Sequence, residues 1–103
     1  MRMLLKVQLC TKTANDLARK GTMGSMIKSI LEEQKPEAAY FIEFEGIRTG
    51  LLFVHLKDAS EIPKFAEPWF LAFNAKVEFK PAMLPQDLEA AGPSIAAAVT
   101  KYG

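Results

Sequence analysis

A chain of 103 residues with 13 Lys and Arg against 12 Asp and Glu carries a net charge of +1, so no strong field steers it toward nucleic acid or an anionic membrane. Half of its residues are apolar and 24% are charged, the range of an ordinary globular protein, and residues 1–103 read as one domain. Burial of roughly 65% of the unfolded surface at this length suffices for a core without metal, while the single cysteine, Cys10, excludes an internal disulfide and fits a reducing, cytoplasmic setting.

The N-terminal stretch MRMLLKVQLC alternates. Met3, Leu5, Val7 and Leu9 share one face, and Leu4, Lys6 and Gln8 share the other, which predicts a strand. Lys6 and Gln8 make the stretch too alternating for a signal peptide or a membrane span. Cys10 reads as a small apolar residue at the strand end. A short helix is expected from Thr13, as cap, to Lys20. Its apolar positions Ala14, Leu17 and Ala18 are out of phase with the stripe Met23, Met26, Ile27, Ile30 and Leu31 that follows. At about 100° per residue the two stripes lie roughly 160° apart, so one straight helix cannot bury both. A break is expected at Gly21–Gly24, with the main helix over Met23–Gln34 and Pro36 ending it.

Ala38–Glu45 and Thr49–Leu56 read as two strands. Gly46 suits the first central position of a type II′ turn, which pairs Ile42 with Leu51, Tyr40 with Phe53 and Ala38 with His55. Asp58-Ala-Ser-Glu61 resembles a capping box. Ile62, Phe65, Ala66, Trp69, Phe70 and Phe73 follow with helical spacing, a kink is expected at Pro68, and Asn74 stops the helix. Lys76–Lys80 alternates as a fourth strand. The tail holds a short helix over Gln86–Ala91 and an alanine-rich helix over Ser94–Lys101.

Two strand–helix–strand units predict an α+β, ferredoxin-like βαββαβ domain. Its four-stranded antiparallel sheet has strands one and three at the centre and both helices on one face. The helix side collects Met3, Leu5, Val7, Leu9, Phe41, Leu52, Val54, Val77 and Phe79. The other side collects Leu4, Tyr40, Ile42, Phe44, Leu51 and Phe53 with Lys6, Gln8, His55, Glu78 and Lys80. That second apolar layer exceeds what a monomer usually exposes, and a homodimer with sheet facing sheet is the expected cover. The alternative is the C-terminal helix folding across the same face within one chain.

The stretches PEAAYFIEFEGIRTGLLFV and EIPKFAEPWFLAFNAKVEFKPAMLPQDL resemble small, uncharacterised bacterial ferredoxin-like proteins of the dimeric α+β barrel superfamily. In these a Pro-containing second helix leads to a strand ending in Pro and a short acidic helix. The resemblance covers about Met1–Ala91 and implies a dimer of this fold. It implies little about activity, because the fold hosts many unrelated ones.

His55, the only histidine, is expected on the open face, where Glu78 or Tyr40 could partner it as a general base. A hydrogen-bonded interface histidine is the plainer reading. Lys6, Gln8 and Glu78 face the same layer as possible ligand-binding groups, with a structural Lys6–Glu78 salt bridge as the simpler alternative. Trp69 is a candidate for ligand contact, although Trp69, Phe65, Phe70 and Phe73 read first as core. No phosphate loop, paired-cysteine spacing or nucleophile elbow is present, and neither metal nor cofactor is expected. The reading is therefore a homodimeric binding or structural module without nucleic acid or membrane partners. The rival is a cofactor-free enzyme, monooxygenase- or isomerase-like, drawing on His55, Tyr40, Trp69 and Asn74. That rival requires His55 within hydrogen-bonding reach of a polar side chain on the wall of an enclosed cavity.

Overall fold

The alternation of Met3–Leu9 produces the first strand, β1 (Arg2–Gln8), whose burial switches at every residue. These details come from a computed structural model that describes residues 1–103. Helix α1 (Thr11–Arg19) starts two residues earlier than its sequence suggests, with Cys10 rather than Thr13 at the N-cap. Thr13 thus falls within the first turn, where its hydroxyl accepts from Asn74 Nδ2 at 2.9 Å. The expected break is present. Gly21 adopts φ +75°, and the amides of Gly21 and Thr22 donate back to Ala18 and Leu17. This is a Schellman closure that needs a residue tolerant of the left-handed region. Helix α2 (Met23–Gln34) then turns its own stripe to the sheet and ends in left-handed Lys35, just before Pro36.

Strands β2 (Ala38–Phe44) and β3 (Ile47–His55) form the hairpin, but its turn differs from expectation. Glu45 (φ 53°) and Gly46 (φ 78°) are both left-handed, which defines a type I′ turn centred on Glu45-Gly46. Glu43 Oε2 accepts from the Gly46 amide at 2.8 Å and supports it. Phe44 now pairs with Ile47, Ile42 with Thr49 and Tyr40 with Leu51. This is a slip of two residues from the type II′ pairing. Side chains alternate with period two, so the slip leaves each residue on its expected face.

Asp58 accepts from the Ser60 amide and Glu61 accepts from the Lys57 amide at 2.6 Å. A short 3-10 turn (Ala59–Glu61) leads into helix α3 (Ile62–Phe73), which continues through Pro68 and ends at left-handed Asn74. Strand β4 (Lys76–Pro81) completes an antiparallel sheet of order β2-β3-β1-β4. Strands one and three are central, as the crossovers require, and the α+β arrangement is consistent with a ferredoxin-like fold.

Helices α1, α2 and α3 bury Ala14, Ile30, Phe65, Trp69 and Phe73 against Met3, Leu5, Val7, Leu52 and Val54. Trp69 and Phe73 are fully buried, with ring centroids 5.9 Å apart. Each such large side chain contributes up to about 1.5–3 kcal/mol. Phe41 departs from its expected core role: it lies on the helix side yet is 50% exposed. Its ring covers Gly50, whose position leaves only 3.1 Å between a hypothetical Cβ and Phe41 Cε1.

After β4 come α4 (Pro85–Ala90) and α5 (Gly92–Tyr102), neither of which buries a residue. The molecule measures 59 × 29 × 20 Å with a radius of gyration of 17.2 Å, against about 13 Å for a compact chain of this length. The C-terminal helix therefore does not fold across its own sheet: α5 packs chiefly on α4, and the open face is left bare. No helix is long and apolar enough to cross a membrane.

Candidate functional site

The bare face of the sheet is the most distinctive surface of the molecule. Its side chains alternate out of β1–β4 away from the helices. Register places Leu4 beside Phe53, Lys6 beside Leu51 and Tyr40 beside Leu51. Tyr40, Ile42 and Phe44 are 60%, 42% and 38% exposed. Half-buried Leu4, Leu51 and Phe53 continue the layer inward.

Lys6 and Glu78 are direct neighbours across β1 and β4, as the topology predicts, but they do not form the expected salt bridge. The Lys6 ammonium instead sits 3.4 Å from the centroid of the Phe44 ring, reaching across β3 to β2. The ring face stabilises it there. Glu78 is held by Lys76 at 3.5 Å and Lys80 at 3.7 Å. Partial burial pushes the Glu78 carboxyl up, but Lys6, Lys76 and Lys80 together outweigh this and keep it below the usual carboxylate range. Gln8 lies next along β1, opposite Lys76.

His55 sits at the far end of β3, opposite Arg2. Its side chain is 58% exposed, and its Nε2 lies 4.0 Å from Glu37 Oε2. It lines neither groove of the molecule. Tyr40 pairs with Leu51, four residues from His55 and so about 13 Å along the strand. The two candidate catalytic residues are thus not brought together within one chain. Trp69 lies on the opposite side of the sheet, fully buried, with its Nε1 donating to Gln34 Oε1. Asn74, left-handed at the end of α3, donates to Thr13. The candidates accordingly split into an open-face set, Lys6, Gln8 and Glu78, and separate positions for His55, Tyr40 and Trp69.

Comparison with protein-family models, with curated proteins and with solved structures finds no match.

The structure adds a cluster that was not anticipated. Arg2 Nε and Nη2 donate to Glu37 Oε1 and Oε2 at 2.5 and 3.1 Å, a two-pronged ion pair beside His55. The Arg2 hydrogen bond holds the Glu37 carboxyl below its ordinary range, and the charge of His55 acts the same way. The signal was partly in the sequence: Arg2 is in phase with Leu4 and Lys6. Glu37 precedes its strand, and alternation says nothing of where its side chain turns.

Two apolar grooves lie on the helix side. One, of about 330 Å³, runs between α2 and the β2–β3 hairpin, lined by Met23, Ile27, Phe41 and Arg48 among others. The second, of about 390 Å³, separates α2 from α3, with Met26, Ile30, Pro68 and Leu71 on its walls. No group of three or more His, Cys, Asp or Glu side chains is placed to hold a metal ion.

Proposed function

We propose that this protein is a small cytoplasmic homodimeric module of the dimeric α+β barrel kind, which associates through its open sheet face and has a binding or structural role. The observation that carries the reading is the layer of Leu4, Tyr40, Ile42, Phe44, Leu51 and Phe53, which no segment of the same chain covers. Burial against a second copy removes that surface from water, and apolar contact of this kind drives most association. A small-molecule role is supported by the groove of about 330 Å³ beside Phe41, since ligand sites span roughly 300–1,000 Å³. The free Cys10 supports a reducing compartment.

Sedimentation velocity over a range of concentrations tests the association. Twice the chain mass is expected for the native protein. Phe53→Lys, which puts a charge in the middle of the apolar layer, is expected to return the single-chain mass with the fold retained. A native protein that stays single at high concentration would overturn the reading.

A further inference from the structure

We infer that the C-terminal helical arm, Leu84–Tyr102, is a second association element that seats on another copy of this chain. The inference rests on the dimer proposed above and adds to it a surface outside the sheet.

The arm is nearly one rod. Ala91 joins α4 to α5 in the right-handed helical region (φ −81°, ψ −6°), its amide donates to Asp87, and the Ile95 amide donates to Ala91. Along this rod Leu84, Leu88, Ala91, Ile95, Val99 and Tyr102 recur at steps of three and four residues. That spacing is one stripe on one side of a helix, and at 1.5 Å per residue the stripe is about 27 Å long. Leu84, Leu88, Ile95, Val99 and Tyr102 are all exposed.

A helix of this length is marginal in water without a surface to pack on, and neither half of the arm buries a single side chain. The chain's own body is not that surface, since α4 and α5 pack chiefly on each other and bury nothing against the sheet or the other helices. A second copy fits on two counts. The open sheet face alone offers about a dozen side chains per protomer, whereas a stable interface uses roughly 20–30; the arm supplies the remainder. The arm carries Asp87 and Glu89 against one Lys101, while Lys6, Lys76 and Lys80 outnumber Glu78 on the sheet side. Opposite signs on two surfaces of one chain attract between copies.

The test uses the full chain. Ile95→Asp with Val99→Asp charges the stripe at exposed positions, and Ala90→Asp with Ala97→Asp places the same charge on the opposite side of the rod. Circular dichroism confirms that each pair retains its helix. In sedimentation equilibrium the stripe pair is expected to weaken self-association by about tenfold or more, and the control pair is expected to leave it unchanged. If the native protein and Phe53→Lys behave as the dimer reading requires, but the stripe pair associates as tightly as native, the arm inference is overturned and the sheet reading stands. Equal weakening by both pairs overturns it too. A native protein that is single at all concentrations removes both.

Discussion

Gln34 holds two helices together through Trp69: its Oε1 accepts from Trp69 Nε1 at 3.2 Å, while its Nε2 donates to the Phe65 carbonyl at 2.9 Å. A buried glutamine on α2 thus satisfies an indole and a main-chain carbonyl of α3, and no buried side-chain polar atom is left without a partner. Gln34→Leu keeps the bulk and strands the Trp69 indole N–H. Leaving a buried donor or acceptor unpaired costs about 1–3 kcal/mol, so urea unfolding is expected to show a loss of about that size. Trp69→Phe in the Gln34→Leu background removes the stranded indole N–H. The double variant is then expected to lose less than the two single losses added together, a coupling that a double-mutant cycle measures directly.

The hairpin turn supplies a second expectation. Glu45 and Gly46 both adopt positive φ, a conformation that asparagine and glycine accept and most residues resist. Glu45→Asn is expected to stabilise the protein by a few tenths of a kcal/mol to about 1 kcal/mol. Gly46→Ala is expected to destabilise it by about 1 kcal/mol or more. Opposite shifts of the melting temperature check the pair. Equal shifts would show that the turn is not the type I′ form described.

These two cases mark what the sequence discloses. Period-two alternation placed Met3, Leu5 and Val7 under the helices and Leu4 and Phe53 on the other side. The phase conflict between Leu17 and Met23 located the break at Gly21. Both signals are local and depend on geometry that each segment imposes on itself. The turn type was not legible, because glycine at Gly46 satisfies either of two turns and only the ladder decides between them. Gln34 was invisible for a different reason. A glutamine at the end of a helix usually faces water, and its burial depends on where α3 lies. The open-face positions of Lys6 and Glu78 were readable, but their partners were not: Lys6 had a ring within reach across two strands, and a long flexible side chain takes the better of its alternatives.

The Arg2–Glu37 pair makes stability depend on pH in a defined direction. Arg2 holds the Glu37 carboxyl below its ordinary range in the folded chain. A depressed folded-state pKa contributes stability in full above the unfolded value, about 4.3, and loses it as pH falls through the folded one. Glu37→Gln is therefore expected to lower the melting temperature near neutral pH. The gap to the native protein should narrow as the pH falls below the ordinary carboxylate range, because Glu37 then takes up a proton and comes to resemble the uncharged glutamine. A gap that persists unchanged at acid pH would assign the effect to packing instead. Both side chains are partly exposed, so added salt is expected to narrow the gap at neutral pH.

Cys10 offers the last test. Its thiol lies at the start of α1, and a hydrogen bond from Thr13 is the largest influence drawing its pKa below the ordinary value, with the Thr13 main-chain amide acting the same way. The Thr13 hydroxyl accepts from Asn74 Nδ2, which occupies an oxygen lone pair and leaves its own proton to point at the sulfur. Thr13→Val keeps the shape and removes both contacts. The rate of alkylation by iodoacetamide, followed against pH, reports the thiolate fraction. Its midpoint is expected to move up in Thr13→Val. Asn74→Gly, which suits the left-handed backbone at that position, removes the amide donor while leaving the threonine, and is expected to move the midpoint less. An unchanged midpoint in Thr13→Val would show that the helix N-terminus alone sets the acidity of Cys10.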